Sequence, residues 1–299
     1  MRKNFLIFGL SLVGLIILIL LHLSVNGINI NKFNHLINDK LKGFDKKLSL
    51  KTNDIFLKLK LNNNSININI DNPKIYSGSE FIDLSKIDIN LDLIKFIKND
   101  NSIKNIQIIS KENPIKTITN FINSYKFNAS RFVIFNQIES GNIQAKTNIY
   151  FDEKNQNKFT YEVTGNVNDA KLNTLNETFI SNVNFNFEIK DQIFYFDNIS
   201  LRYDNIDFQS KKISITNTGK NFEVKGDLKN KKGLIKPNSF TKLFNFNLDF
   251  LEEKEILMET ENEFSFTIFK SLPGIIQQGF LHHGRYSEID KMLLTSVYI

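Results

Sequence analysis

The chain has 299 residues, of which 41% are hydrophobic and 23% charged, enough apolar side chain for one large or two modest folded domains instead of a disordered chain. It has no Cys, which excludes disulfides, thiolate chemistry and Cys-ligated zinc. Its net charge of +6 is spread thinly, so the clustered basic face that nucleic-acid binding requires is missing and no nucleic-acid partner is expected.

The first element is an apolar run from Phe5 to Leu23, carried by Phe5, Leu10, Leu15, Leu20 and Leu23 and interrupted only by Gly9, Ser11, Gly14 and His22. At ~1.5 Å per residue it extends about 29 Å, the thickness of one bilayer core. A cleaved signal peptide would carry an apolar region of only ~7–15 residues and a small-x-small cleavage site. "HLSVNG" is a poor site, so the run reads as an uncleaved single-pass anchor. Arg2 and Lys3 precede it and hold the N-terminus in the cytoplasm, which places everything after Asn26 across the membrane. Residues 30–44 follow with Phe33, Leu36, Ile37, Leu41 and Phe44 at helical spacing. This predicts a short amphipathic helix that lies on the lipid surface or caps the first strands.

Alternation then takes over. Ile55, Leu57, Leu59 and Leu61 share one phase, as do Ile66, Ile68 and Ile70, and then Ile87, Ile89 and Leu91. Farther on, Val183, Phe185, Phe187 and Ile189 alternate with Asn184, Asn186 and Glu188, and the pattern resumes through Ile193, Tyr195, Ile199 and Leu201. Phe222 and Val224, Phe244 to Phe250, and Phe264 to Ile268 close the series. Period two places alternate residues on opposite faces of a strand, and the separators "NNNS", "DNP", "SGS" and "NTGKN" are turn chemistry. These spacings predict an antiparallel meander. Asn113 as a cap, Pro114 at the first helical position and the stripe Ile115, Ile118, Phe121, Ile122 and Tyr125 predict one helix, and "FLEEKEILMETENEF" a further short one.

Two or three short helices cannot cover about a dozen one-sided strands. The apolar face is then sealed in a sandwich, closed in a barrel, or left as the wall of a groove in one curled sheet. A membrane barrel fits poorly with the Asn-rich outer phase, and pattern alone puts the sandwich slightly ahead of the groove. Asp197 falls in the phase of Ile193, Tyr195 and Ile199, and a bulge at Phe196–Asn198 would turn it outward. No catalytic motif is present. His282 and His283 are adjacent, which on a helix sets them ~100° apart and unsuited to one metal. Neither an enzyme, a metal nor a cofactor is expected.

The segment "DQIFYFDNISLRYDNIDFQSKKISITNTGKNFEVKGDLKNKKG", with Gly226 after its last apolar pair, resembles the repeat of the AsmA-like family, the TamB- and YhdP-type bridge-like lipid-transfer proteins. "YEVTGNVNDAKL", with Gly165, is similar to the final strand of an earlier repeat. "LSLKTNDIFLKLKLNNNSININIDNPKI", behind an anchor, resembles the chorein-type opening of such proteins. The residues from 271 onward lose the alternation and match nothing in the repeats.

The resemblance implies a mainly β chain: one transmembrane helix, then an elongated, twisted antiparallel sheet forming a U-shaped apolar groove. It implies an anchor at 1–27, a chorein-like β region at 28–130, repeated β-hairpins at 131–270 and a tail or cap at 271–299. The groove wall would be Ile66, Ile68, Ile70, Ile87, Ile89 and Leu91 in the first half. In the second it would be Val183, Phe185, Phe187, Ile189, Ile193, Ile199, Leu201, Phe222 and Val224. Membrane phospholipids would be the cargo, and the chain would sit in a bacterial inner membrane with its bulk in the periplasm, maintaining the envelope. About a dozen strands at ~4.8 Å give a sheet roughly 60 Å long, so self-association or an envelope protein partner would have to extend the path. The alternative is a membrane-tethered sandwich that scaffolds envelope protein assembly.

Overall fold

The computed structural model describes residues 14–15, 17–31, 38–39, 45–52, 54–98, 100, 103–152, 155, 158–173, 179–203, 206–219, 221–236 and 256–269. The strands are β1 (Ile28–Asn29), β2 (Leu48–Lys51), β3 (Asp54–Lys60), β4 (Ser65–Asp71), β5 (Lys74–Ser77), β6 (Glu80–Asp92), β7 (Ile103–Ser110), β8 (Asn113–Pro114) and β9 (Ile138–Phe151). They continue with β10 (Phe159–Asn173), β11 (Phe179–Lys190), β12 (Ile193–Tyr203), β13 (Ile206–Asn217), β14 (Asn221–Ile235) and β15 (Ile256–Phe269). The helices with defined bounds are α1 (Leu93–Ile97), α2 (Ile115–Tyr125) and α3 (Ala129–Asn136). The strands form one antiparallel sheet in the order β1-β3-β4-β6-β7-β9-β10-β11-β12-β13-β14-β15, with β2, β5 and β8 attached beside it.

The chain divides into two compact units. Unit 1 is Met1–Asn113, Thr117–Asn128 and Gln144–Glu162, and unit 2 is Pro114–Lys116, Ala129–Ile143 and Val163–Ile299. In unit 1 the alternation expected for β3, β4 and β6 is realised in strict register. Ile55 opposes Ile70, Leu57 opposes Ile68 and Leu59 opposes Ile66; Ile70 then opposes Ile87, Ile68 opposes Ile89 and Ile66 opposes Leu91. The first half of β6 leaves β4 and pairs with β5, which pairs with β2. Leu50, Ile75, Ile82 and Leu84 from this flap pack onto Ile55, Ile70 and Ile87. Asn113 does not open α2 as a cap. It is buried, its Nδ2 donates to the carbonyls of Asp83 (2.9 Å) and Lys111 (2.7 Å), and its Oδ1 accepts from the Asp83 amide (3.0 Å). An amide side chain that satisfies three backbone groups inside the fold outcompetes the helix end for it.

In unit 2, β11 and β12 are joined at Asp191 and Gln192, both with positive φ (50° and 66°), the twist a two-residue hairpin needs. Asp169, Asn182 and Asn198 also take positive φ, within β10, β11 and β12. Asx residues tolerate the left-handed region, so part of the Asn and Asp content marks irregularities in the ladder. Residues 256–264, the described part of "FLEEKEILMETENEF", form strand instead of the expected helix, and with the expected strand residues Phe264, Phe266 and Ile268 they make up β15, paired with β14 from Asn221–Phe269 to Ile235–Ile256. A ladder of that length with a long neighbour overrides the helix propensity of Glu, Leu and Met. Helix α3 carries no amphipathic stripe and was not legible in the sequence.

Residues 14, 15 and 17–25 are helical, and no helix among the described residues is long and apolar enough to cross a membrane. Phe5, Leu10, most of the amphipathic segment 30–44, the strand expected at Phe244–Phe250 and the tail from 271 on, with His282 and His283, lie outside the described residues.

Candidate functional site

The candidate site is the apolar face of the sheet, and in unit 1 that face is built from three rows that run across the strands. The row Ile55–Ile70–Ile87 is buried beneath the β2–β5 flap. The row Leu59–Ile66–Leu91 is also buried, with Leu23 from the N-terminal helical segment packed against it. Between them runs Leu57–Ile68–Ile89–Ile106, which β7 carries on to Ile149 of β9. These side chains are only half-buried. The face is thus covered at both ends and shallower in the middle.

The opposite face of unit 1 is an amide ladder. Asn67 donates to Asn90 (3.0 Å), Asn90 to Asn105 (2.7 Å) and Gln107 to Asn148 (2.8 Å). Asn69 and Asp88, opposed in register, each keep one buried oxygen without a partner, and the depression of about 420 Å³ that they line has room for water. Because these groups bond chiefly to one another, the polar face needs no covering layer.

In unit 2 the apolar face is again a set of rows. Phe187, Phe196, Ile213, Gly226 and Phe264 are successive partners across five strands, and so are Ile189, Phe194, Ile215, Val224 and Phe266. Phe222 opposes Ile268 beside them. Phe185 meets Phe196 edge-on, with ring centroids 5.6 Å apart. Val183 is buried with Val167, Ala170 and Ile115, and Phe185, Phe187 and Leu201 pack against that cluster. Ile199 is buried.

One expected wall residue lies elsewhere. Ile193 opposes Lys190 and Thr216, in the phase of Tyr195 and Asp197, which faces away from Phe194 and Phe196. The physical reason is the bulge at Asn198 (φ 52°), where the ladder shifts by one residue and inverts the phase of the strand. Behind the bulge Ile199 and Leu201 face the core, and ahead of it Phe194 and Phe196 do. Because Ile193 to Phe196 are all apolar, alternation did not say which phase faced inward. Asp197 is exposed and accepts from Asn186 (2.9 Å) and Asn198 (2.6 Å), so it pins the bulge and presents no acid to the apolar face.

A second clip sits one hairpin later. Asp227 follows Gly226 and takes the backbone amides of Lys211 (3.1 Å) and Lys212 (2.9 Å), together with the Ser210 hydroxyl (3.3 Å), at the ladder shift of β13. Partial burial pushes its carboxyl pKa up, but the two amides and the hydroxyl outweigh this and hold it below the usual carboxylate range. A depressed folded pKa contributes stability that is complete above the unfolded carboxylate value and is lost as pH falls through the folded one. Asp227→Ala is therefore expected to cost about 1–2 kcal/mol at neutral pH and to flatten the acid limb of stability against pH. Urea midpoints from neutral pH downward measure this, and parallel acid limbs in both proteins would remove the carboxylate from the account.

Comparison of the chain with protein-family models, with curated proteins and with solved structures finds no match. Among the described residues no group of three or more His, Asp or Glu is placed to hold a metal ion. The rows of apolar side chains are what remains to account for.

Proposed function

We propose that the apolar face binds the acyl chains of membrane phospholipid and lets them move along it, without enzymatic turnover. In this reading residues 5–23 anchor the chain in a bacterial inner membrane, the N-terminus is cytoplasmic, and the β body lies in the periplasm and serves envelope maintenance. The observation that carries it is the half-buried row Leu57–Ile68–Ile89–Ile106, in register across four strands between two covered rows. A methylene removed from water gains about 0.8 kcal/mol, so an acyl chain of ~16 carbons gains on the order of 10 kcal/mol along such a floor. Ile, Leu and Phe offer no directional bonds, so the chain slides over a smooth profile and headgroup selectivity is low. The resemblance to AsmA-like repeats supports the same reading.

The test is native mass spectrometry with lipid extraction on the full chain purified from a membrane-containing host. Phospholipid at a defined stoichiometry is expected, and Phe185→Asp with Phe187→Asp should remove most of it while the circular dichroism of the sheet persists. A folded chain with no bound phospholipid would sink the proposal.

The second reading, a tethered scaffold, is favoured by one observation. β15 ends the sheet with β14 as its one neighbour among the described residues, and such an edge accepts a partner strand. It predicts capture of an envelope protein that Pro substitutions along β15 abolish, with no lipid bound.

A further inference from the structure

At one end of unit 1 the sheet carries a small apolar rim that packing inside the unit does not use. α1 exposes Ile94, Phe96 and Ile97 (54%, 48% and 71%), and the β3–β4 turn beside it exposes Leu61 (45%). The rim is firmly built. The Leu93 amide donates to the Asn64 carbonyl (3.0 Å), which ties α1 to the turn. The Asp92 carboxylate caps α1 through the amides of Ile94 (2.9 Å) and Lys95 (3.0 Å) and pairs with Lys104 (3.1 Å). A five-residue helix has no stability of its own, so these ties are what hold three large apolar side chains outward.

Two further observations say what the rim meets. The N-terminal helical segment arrives at this same end, because Leu23 packs on Leu59, Ile66 and Leu91, beside Leu93 and Ile103. That segment exposes Leu15, Leu18 and Leu21. The rim is also basic, with Lys95, Lys98 and Lys104 set against Asp92, which is already paired, and Asp100. Apolar side chains surrounded by lysines, beside an apolar helix, match the interfacial layer of an anionic bilayer.

We propose that α1 and the β3–β4 turn seat in that layer. Ile94, Phe96 and Ile97 lie among the upper acyl carbons and the lysines lie at headgroup level. This rests on the reading that residues 5–23 are membrane-embedded. It adds a second membrane contact, one that fixes the orientation of unit 1 and brings the Leu59–Ile66–Leu91 row to the bilayer surface.

The chain has no Cys, so single labels are clean. Ile97→Cys and, at the far end of β7, Lys111→Cys are labelled with the polarity-sensitive fluorophore NBD. The full-length proteins are reconstituted into phosphatidylethanolamine–phosphatidylglycerol vesicles with or without lipid spin-labelled near the headgroup. NBD at 97 should be blue-shifted and quenched severalfold more than NBD at 111. Quenching at 97 no stronger than at 111, in a chain that resists carbonate extraction, overturns the rim and leaves the anchor standing. A blue shift at 97 without quenching means a protein surface covers the rim and also overturns it. Extraction of the chain by carbonate refutes the anchor, and the rim proposal with it.

Discussion

Gly141→Ala is expected to destabilise unit 2 by about 2–6 kcal/mol, enough to unfold it under mild conditions. Gly141 lies in β9 with φ +123°, a backbone conformation that L side chains rarely adopt. A Cβ there would sit 2.6 Å from Ala170 Cα, 2.7 Å from Ala170 Cβ and 3.0 Å from Ile115 Cδ1. Backbone strain costs of order 1–3 kcal/mol and overpacking typically about 1–3 kcal/mol. Both fall on the cluster of Ile115, Val167, Ala170 and Val183, against which Phe185 and Phe187 pack. Because the nearest atom is backbone, Ala170→Gly in the same chain should recover little of the loss. Hydrogen exchange followed by mass spectrometry reads this out. Protection in β10 and β11 should drop while that in β3 and β4 persists, and unchanged protection in β10 and β11 would show that the sheet opens at Gly141 without cost.

Ile70→Asp and Ile89→Asp should have different consequences, although the two residues share one face on adjacent strands. Ile70 is 1% exposed between Ile55 and Ile87. Truncating such a side chain even to Ala costs about 2–5 kcal/mol, and a carboxyl without a partner adds a desolvation penalty, so Ile70→Asp should unfold unit 1. Ile89 lies in the half-buried middle row, where a carboxylate reaches water. Ile89→Asp should cost about 1–2 kcal/mol, keep the fold and lower the phospholipid recovered with the chain. Urea unfolding followed by circular dichroism, paired with lipid extraction, separates the outcomes. Equal and severe destabilisation by both would mean that the middle row is sealed, as the scaffold reading requires.

Much of the sheet was legible because alternation runs unbroken through β3, β4 and residues 87–91 of β6. Ile66, Ile68 and Ile70 sit opposite Leu91, Ile89 and Ile87 as the pattern requires, and the intervening residues meet as the Asn67–Asn90–Asn105 ladder. The pattern was weaker in β12. Phe194 and Phe196, which sit opposite Ile189 and Phe187, face inward in place of Ile193, since a one-residue bulge reverses the phase and leaves no mark in hydrophobicity. "FDN" hinted at it, because Asn tolerates the left-handed backbone that the bulge requires.

The sequence by itself determined that this chain is a β meander with one apolar phase and one amide-rich phase, since side chains of consecutive strand residues must point to opposite faces. Only the tertiary structure decided which apolar residues are covered and which are not. Ile70 and Ile89 look alike in sequence, and they differ because the β2–β5 flap packs over Ile70 and leaves Ile89 half-buried. Pairing also decided the first part of the last strand, where a long ladder with β14 prevails over local helix propensity in residues 256–264. Contacts of this kind join residues far apart in the chain, so no local pattern encodes them.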